Sequence, residues 1–295
     1  MIEYPKEIVV IAGPTASGKS SVGLKLAQKL NGYIINGDSR QLYKKVNIGT
    51  AKPKFDKEIS RGVHKLNGIY HYLYDFVDPK ENFTLFDYQK EVQSVLDEAE
   101  GIAILVGGTG LYIDSVVFNY HLTENSNEKD NNLKKKNLKE LQELAKEYLT
   151  DMSPSDRRNK HRLIRAIQRQ EVNRKKGKPL NYKYFVVDLP KEELERRVKK
   201  RMKKMFEKGL LEENFSLLNQ GYTYQDKGLK SIGYIEFKEY FEGEISLEEV
   251  KEKIFRNSMK YIKRQKTWFR RNDNTIWEGD SEKIVQEASN FILNE

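Results

Sequence analysis

The chain contains one motif whose residue types and spacing predict phosphate chemistry. Residues 13–20 match the pattern G-x-x-x-x-G-K-[ST], directly after an apolar run and at the start of a helical one. Glycines let successive backbone N–H groups point at phosphate oxygens, and a helix N-terminus adds partial positive charge. Lys19 adds a full charge, and the hydroxyl of Ser20 is suited to ligate Mg²⁺. We predict that a diphosphate binds to Gly13, Pro14, Thr15, Ala16, Ser17, Gly18, Lys19 and Ser20.

The acid that accompanies this motif in nucleotide hydrolases is missing from its usual place. Those enzymes carry an Asp at the end of a later strand, where it helps to hold the metal ion. Here the apolar run 102–106 is followed by two glycines and Thr109, and the acid instead follows an earlier run as Asp38. Asp38 is suited either to serve the metal or to act as a general base at the carboxyl edge of a parallel sheet, where ligands of such sheets bind.

Alternating apolar runs and helical patterns predict an α/β fold. Short β-branched runs predict buried strands at 7–12, 33–35, 102–106 and 184–188. Helical spacing predicts helices at 18–31 and 84–100, the second with Thr84 as its N-cap. Strands that alternate with helices favour a parallel, doubly wound sheet. The expected fold is therefore a P-loop-type core in which a parallel sheet is flanked by helices.

A polar stretch at 119–132 interrupts this pattern and predicts a linker. Two helical segments follow, at about 133–149 and 155–176, with no convincing strand between them. After the strand near residue 184, helical patterns dominate to the C-terminus. We therefore predict that the first part of the core lies at 1–122, a small all-helical insertion at 123–180, and a largely helical completion of the core at 181–295.

The composition is that expected of a globular cytoplasmic enzyme. The 295 residues are 38% hydrophobic, which is enough for a sizeable core. No cysteine is present, which excludes disulfides, thiolate zinc sites and cysteine nucleophiles. No run approaches the roughly 18 apolar residues of a membrane-spanning helix. The N-terminus shows no separate apolar signal segment, so we expect a cytoplasmic protein without a membrane partner.

Positive charge is concentrated in two regions of a chain whose formal net charge is +9. Residues 151–210 contain 20 Lys and Arg against 8 Asp and Glu, and residues 251–271 contain 9 Lys and Arg against one Glu. Such segregation is expected for a protein that binds a polyanion such as nucleic acid, but also for lysine-rich helices with one solvated face. Composition alone leaves both interpretations open.

Taken in order, the motifs resemble those of the tRNA dimethylallyltransferases, also called tRNA isopentenyltransferases. The similar segments, collinear over about residues 7–272, are GPTASGKS, DSRQLYKKVNIGTAKP, HYLYDFVDPKENFTLFDYQ, LVGGTGLYIDS, HRLIRAIQ, RMKKMFEKGLLEE, KSIGYIEF and YIKRQKTWFR. Tyr72 replaces the usual second histidine of the family, and Gln168 stands at a glutamate position. The resemblance implies that dimethylallyl diphosphate donates its five-carbon group to the N6 amine of the adenosine immediately 3′ of the anticodon, with release of diphosphate.

The resemblance also implies roles for single residues. Lys19, Ser20, the loop amides and Mg²⁺ would hold the diphosphate, with Arg201 of the R-x-x-x-M motif as a second clamp. Asp38 would orient the adenine amine and remove its proton, although an Asp in this context is also a common turn residue. Thr109 would make a second polar contact near the amine or the phosphate, although such a threonine is also a common helix cap.

Recognition of tRNA is expected at two places. The target adenine must be flipped into a pocket, which we expect Asp38, Ser39, Arg40 and Gln41 to line. In the insertion, the residues expected to contact RNA are His161, Arg162, Leu163, Ile164 and Arg165, the two arginines lying on one helical face. Trp268 is expected to anchor the C-terminal helix or, as the less favoured alternative, to stack on a base.

Two other classes of function share some of these features. One is a P-loop kinase of a small metabolite or nucleotide, and the other is a non-catalytic, GTPase-like RNA-binding module. The missing acid after 102–106, the basic insertion and the collinear motifs favour the transferase. Its expected partners are tRNA and dimethylallyl diphosphate, and its expected state is a monomer.

Overall fold

The computed structural model of the chain describes residues 2–4, 6–122, 132–169 and 176–293. Within it the chain divides into two compact units. The smaller comprises Phe118–Pro179, and the larger comprises Ile2–Val117 together with Leu180–Glu295. The range of the insertion expected at 123–180 overlaps that of the smaller unit. Most of the predicted linker lies at 123–131, outside the described residues.

The larger unit is built on one eight-stranded sheet. Its strands are β1 (Ile8–Ala12), β2 (Tyr33–Asn36), β3 (Lys57–Ser60), β4 (Val63–Leu66), β5 (Ile69–Tyr72), β6 (Ala103–Gly107), β7 (Tyr182–Val187) and β8 (Thr275–Glu278). Their order across the sheet is β3-β4-β5-β2-β6-β1-β7-β8. Strands β5, β2, β6, β1, β7 and β8 pair in parallel, whereas β4 pairs antiparallel with both β3 and β5. The parallel sheet expected from the sequence is confirmed, with an antiparallel extension at one edge.

Two parts of the sheet were not predicted from the sequence. Strands β3 to β5 form an antiparallel meander, and β8 lies in a region expected to be helical. All four residues of β3 are exposed, so this edge strand carries no apolar alternation that local reasoning could detect. The pairing of β8 with β7 joins segments that are far apart in the chain, and local periodicity does not encode it.

Helices flank the sheet and cover its apolar core. They are α1 (Lys19–Lys29), α2 (Leu85–Glu98), α3 (Gly110–Val117), α4 (Leu138–Leu144), α5 (Lys160–Arg169), α6 (Lys191–Glu207), α7 (Leu210–Asn219), α8 (Lys238–Phe241), α9 (Leu247–Phe269) and α10 (Ser281–Leu293). Thr84 caps α2 as predicted, in a capping box with Asp87. Leu26 of α1 and Ile284 of α10 pack with Ile104 of β6 in the buried core. In the described part of the chain, none of these helices has the length and apolar character needed to cross a membrane.

The smaller unit is helical, as expected, but its helices are shorter than the sequence pattern predicts. The helix expected at 133–149 is broken at Asn137, whose side chain accepts the N–H of Glu140 and so starts α4 at residue 138. The helix expected at 155–176 is represented by a 3₁₀ turn at Asp156–Arg158 and by α5, and residues 170–175 lie outside the described part of the chain. Buried Leu and Ile side chains of α4 and α5 form the core of this unit.

Candidate active site

The phosphate loop, residues 13–20, connects β1 to α1 at the carboxyl end of β1. A Cβ on Gly13 would lie 2.8 Å from Ser17 Oγ and 3.0 Å from the carbonyl oxygen of Val187, so a side chain there would prevent the loop from packing against β7. Gly18 precedes α1 in the left-handed conformation, with φ at 99°. As the N-cap residue, Gly18 has no side chain that could cap the first N–H groups of α1, so these donors are suited to bind an anion.

Lys19 places an ammonium group inside the loop. Its Nζ donates to the carbonyl oxygen of Pro14 over 3.4 Å, and a Cβ on Gly108 would lie 3.4 Å from the same Nζ. Burial lowers the pKa of Lys19 to about 8, while the charge of Asp38 acts to raise it and that of Arg201 lowers it further. A buried ammonium of this kind is stabilised by a bound anion, so the loop has the electrostatics of a phosphate site.

Helix α6 places two arginines against the loop, one helical turn apart. Arg197 Nη1 donates to the carbonyl oxygen of Ser17 at 3.1 Å. Arg201 Nη1 donates to Thr15 Oγ1 at 3.1 Å, and its Nη2 donates to the carbonyl oxygen of Thr50 at 3.2 Å. Arg197 therefore holds the backbone of the loop, whereas Arg201 lies beside the loop with both terminal nitrogens oriented.

Asp38 and Thr109 are brought together by two turns that pack backbone to backbone. Asp38 follows β2, and Thr109 follows the neighbouring strand β6. A Cβ on Gly107 would lie 2.1 Å from the carbonyl of Gly37, so this close approach requires glycine. The Thr109 N–H donates to the carbonyl oxygen of Gly37 at 3.1 Å, and Thr109 Oγ1 accepts the N–H of Ser39 at 3.0 Å. These contacts fix Thr109 to the residues on either side of Asp38.

The carboxylate of Asp38 is half-buried and held by its own turn. Its Oδ1 accepts the N–H of Arg40 at 2.9 Å, and its backbone N–H donates to Asn36 Oδ1 at 2.8 Å. Among the described residues, no donor hydrogen-bonds to Asp38 Oδ2. The negative charge of Asp38 raises the pKa values of both Lys19 and Arg201, although burial lowers both. All three charges are therefore coupled, and Oδ2 is suited to accept a proton.

Asp38, Thr109 and Arg201, together with Thr15 of the phosphate loop, line one cavity of about 360 Å³ in the larger unit. Tyr261 adds a further polar group, and the apolar lining includes Met202 of α6 and Ile254 of α9. Tyr261 hydrogen-bonds to Thr109, and burial raises the pKa of Tyr261 to about 12, so the phenol is neutral. A cavity with a charged end and an apolar wall suits a ligand with a polyanionic head and a short apolar body.

The residues predicted to line the pocket for the flipped adenine lie in two different environments. Ser39 and Arg40 line the cavity, as expected, and Arg40 Nη1 also donates to the carbonyl oxygen of Lys227 at 3.1 Å. Gln41 does not line it. Its side-chain amide instead donates to the carbonyl oxygens of Thr50 and Ala51, at 3.1 and 3.3 Å. Gln41 therefore supports the turn on which Arg201 rests.

Of the five residues predicted to contact RNA, His161 and Arg162 are exposed and Arg165 is half-buried. Arg162 Nε pairs with Asp156 at 3.0 Å, and 57% of the arginine side chain is exposed. Arg165 Nη1 donates to Gln168 Oε1 at 2.8 Å. His161 is exposed. The structure therefore brings these three residues together on α5, away from the apolar core of their unit.

Leu163 and Ile164 are buried in that core, with 0% and 7% exposure. Their burial corrects the expectation that all five neighbouring residues face RNA. The helical period turns these two side chains toward α4, so they support the helix that carries the arginines.

Gln265 of α9 is a site residue that sequence reasoning missed. Its Oε1 accepts the N–H of Thr15 at 2.9 Å, and its Nε2 donates to the carbonyl oxygen of Gly108 at 2.8 Å. One buried amide therefore ties the phosphate loop to the turn after β6. In the sequence this residue is the glutamine within the basic segment YIKRQKTWFR. Its role could not be predicted from that segment, because both of its hydrogen-bond partners are distant in the chain.

Trp268, two turns below the cavity-lining Tyr261 on the same helix, serves as an anchor. Its Nε1 donates to Asp114 Oδ2 at 2.6 Å. A Cβ on Gly110 would lie 2.1 Å from its ring, so the indole packs directly on the start of α3. Of the two interpretations considered for Trp268, the geometry favours the anchor over base stacking.

Fold and site together define a P-loop-type α/β protein in which Arg201, beside the phosphate loop, and the half-buried carboxylate of Asp38 line one cavity. The model of the IPP transferase family matches residues 41–272. The chain belongs to this family.

Relatives with names and solved structures agree with this assignment. A tRNA dimethylallyltransferase from Acetivibrio thermocellus is 35% identical over an alignment of 313 positions that covers 97% of each chain. The tRNA isopentenylpyrophosphate transferase of Bacillus halodurans is 31% identical, with a TM-score of 0.72 over 98% of this chain and 96% of that one. A eukaryotic dimethylallyltransferase acting on tRNA matches with a TM-score of 0.80 over 98% of this chain and 80% of its own, but at 22% identity, so it supports the fold alone.

Proposed function

We propose that this chain transfers the dimethylallyl group of dimethylallyl diphosphate to the N6 amine of the adenosine 3′-adjacent to the anticodon of tRNA, releasing diphosphate. Membership of the IPP transferase family and the name of the 35% identical relative support this activity. The structural observation that carries it is the set of coupled charges, two cations on Lys19 and Arg201 and one carboxylate on Asp38.

The cationic side of the site suits the leaving group. When the allylic C–O bond breaks, its electron pair stays on the diphosphate oxygen, and the allylic carbon becomes electron-poor. Lys19, Arg201 and the N-terminus of α1 would stabilise the charge that develops on diphosphate. The apolar wall of the cavity, which includes Met202 and Ile254, suits the five-carbon group.

The carboxylate side of the site suits the acceptor. An adenine amine is a poor nucleophile because its lone pair is delocalised into the ring. As the N–C bond forms and the C–O bond breaks, the nitrogen must lose one proton, and Asp38 Oδ2 would accept it. Thr109 Oγ1, which accepts the N–H of Ser39 and lies beside Tyr261, would orient the amine.

We also propose that Mg²⁺ binds together with the diphosphate. In the described part of the chain, no group of three or more His, Cys, Asp or Glu side chains could hold a metal ion by itself. The protein donor for the ion is an oxygen atom, the hydroxyl of Ser20 in the first turn of α1. Such a donor fits Mg²⁺, which commonly takes one or two protein oxygens and completes its shell with phosphate and water. When bound, the ion supplies charge neutralisation to the departing diphosphate.

The affinity for dimethylallyl diphosphate should fall as the pH rises through about 8. Below this pH the buried ammonium of Lys19 is charged, and above it one positive charge of the site is lost. Because a bound anion favours the charged form, binding above that pH should be accompanied by proton uptake. Calorimetric titration from about pH 6.5 to about pH 9.5 would measure both effects.

The matched control is Lys19→Arg, because a guanidinium stays charged over this whole range. Its affinity should depend less on pH, and its curve corrects for the titration of the ligand itself. A wild-type affinity that is no more pH-dependent than that of Lys19→Arg would contradict the role assigned to the ammonium.

We infer that the tRNA backbone contacts the basic surface of α5. Replacing Arg162 and Arg165 together by Ala should weaken tRNA binding and flatten its salt dependence by about one to two log–log units, since each neutralised phosphate contributes roughly 0.7–0.9. Filter binding over a range of salt concentrations would measure this slope. The affinity for dimethylallyl diphosphate should hardly change, because the phosphate loop lies in the larger unit.

Lys29→Ala combined with Lys90→Ala is the control for the arginine pair. Both lysines are exposed, and both lie outside the basic regions 151–210 and 251–271. An equal loss of tRNA affinity in this control, or an unchanged affinity and slope in the arginine variant, would reject the contact assigned to α5.

Product analysis tests the proposed reaction directly. The protein is incubated with unmodified tRNA, Mg²⁺ and dimethylallyl diphosphate, the tRNA is digested by nuclease, and the nucleosides are analysed by mass spectrometry. One adenosine should carry the additional five-carbon group. We expect the chain to be active as a monomer. Absence of the modified nucleoside, with tRNA and donor both bound, would overturn the proposal.

A further inference from the structure

Glu213, in the first turn of α7, holds three successive backbone N–H groups with one carboxylate. The N–H of Asn47 lies 3.2 Å from Oε2, that of Ile48 lies 3.0 Å from both oxygens, and that of Gly49 lies 3.5 Å from Oε1. The hydroxyl of Tyr234 donates to the same Oε1 and accepts the N–H of Gly49 at 3.0 Å. A carboxylate and a phenol therefore fix the backbone of the turn 47–49.

The packing around this turn leaves little room for movement. Tyr234 is fully buried, and a Cβ on Gly49 would lie 2.4 Å from its ring. A Cβ on Gly233 would lie 3.1 Å from the Cα of Gly49, so two glycines allow the turn to pack against the segment KSIGY. Burial and the neighbouring Glu213 raise the pKa of Tyr234 well above its ordinary value, so its hydroxyl stays protonated and can donate.

The turn leads directly to Arg201. Thr50 follows Gly49, and its carbonyl oxygen accepts Arg201 Nη2 at 3.2 Å while Arg201 Nη1 reaches Thr15 of the phosphate loop. Thr50 is itself fixed, because its hydroxyl donates to the carbonyl oxygen of Val46 at 2.7 Å. The plane of the guanidinium is therefore set by one immobilised carbonyl and by the loop. A planar, forked donor binds phosphate best when that plane is fixed in advance.

We propose that Glu213 and Tyr234 are positioning residues for the diphosphate site: they hold the turn 47–50 so that the Thr50 carbonyl orients the guanidinium of Arg201. Neither side chain lines the cavity, whereas Gly49 and Thr50 of the turn do. The route that we assign from the turn to the diphosphate runs through the Thr50 carbonyl and Arg201. The inference rests on the proposed function for the identity of the ligand. A purely structural role would instead predict a loss of stability that is independent of Arg201.

A double-mutant cycle on the binding of inorganic diphosphate with Mg²⁺, measured by calorimetry, tests this coupling. Glu213→Gln keeps the shape of the side chain but removes its charge, and it should weaken binding about 10-fold, the scale of a lost charge-assisted hydrogen bond. In an Arg201→Ala background, Glu213→Gln should cause no further weakening, because its effect passes through the missing guanidinium. Tyr234→Phe should show the same coupling with a smaller effect, since its ring still packs on Gly49.

Glu212→Gln is the matched control, because it changes the adjacent and exposed carboxylate of the same helical turn. It should bind diphosphate as the wild type does. Additive losses from Glu213→Gln and Arg201→Ala, or wild-type affinity in Glu213→Gln, would overturn the proposal. If Glu213→Gln does not fold, the cycle with Tyr234→Phe decides by the same criteria. Prenyl transfer by the wild type is assayed separately, so a wild type that binds diphosphate without modifying tRNA rejects the proposed function and leaves the coupling result intact.

Discussion

Replacing Asp38 by Asn should lower the single-turnover rate of prenyl transfer by about 10²–10⁴-fold, the usual range for a lost general base. The amide cannot take the proton that the adenine amine must lose. Its oxygen can still accept the N–H of Arg40, as Asp38 Oδ1 does at 2.9 Å, so the turn after β2 is preserved. Rapid mixing with saturating tRNA and dimethylallyl diphosphate would measure the rate, and the affinity for tRNA should stay within a few-fold.

Asp38→Ala separates the charge of this residue from its role in the turn. If the carboxylate is the base, the Asn and Ala variants should be impaired to a similar degree. If Asp38 only holds the turn, the Asn variant should react at a near-normal rate while the Ala variant fails. The second pattern would show that Asp38 is not the general base and that another group of the cavity accepts the proton.

Lys19→Ala and Arg201→Ala should each reduce kcat/KM for dimethylallyl diphosphate by about 10²–10³-fold, the usual cost of losing one group that stabilises developing charge. The kcat/KM of Arg201→Lys should lie between the values of the wild type and of Arg201→Ala. A lysine keeps the charge but cannot reproduce the two oriented nitrogens that reach Thr15 and Thr50. The affinity for tRNA should remain near that of the wild type in all three variants. Steady-state kinetics at varied donor concentration, together with tRNA binding, would measure these effects.

Lys25→Ala provides the control for Lys19→Ala. Lys25 lies on the same helix, its side chain is 49% exposed, and it pairs with Glu282 at the surface. Lys25→Ala should leave kcat/KM for dimethylallyl diphosphate unchanged. ATP should not replace dimethylallyl diphosphate in modifying tRNA. Phosphorylation of a small molecule by ATP, without prenyl transfer, would assign the chain to the P-loop kinases instead.

Those parts of the site that depend on one segment of the chain could be predicted from the sequence. The phosphate loop, the strand before it and the Thr84 cap follow from residue types within a single turn or strand, so local steric and hydrogen-bonding rules suffice. Asp38 was predicted at the carboxyl edge of a parallel sheet because it follows a predicted strand, whereas the contact assigned to Thr109 came from the family resemblance. The class of protein was also determined at this level, because its motifs are long and collinear.

The tertiary structure alone decided how these segments hold one another. Arg201 was predicted as a clamp from its motif, but the plane of its guanidinium depends on Thr15 and Thr50, which meet only in the folded chain. Gln265 joins two loops, and Glu213 and Tyr234 fix a third, through contacts between residues far apart in sequence. Local periodicity reports which face of an element is buried, but not which distant group it meets there. The hydrogen-bond partners of the site residues, and therefore the orientation of the reacting groups, are fixed only once segments that are distant in sequence pack together.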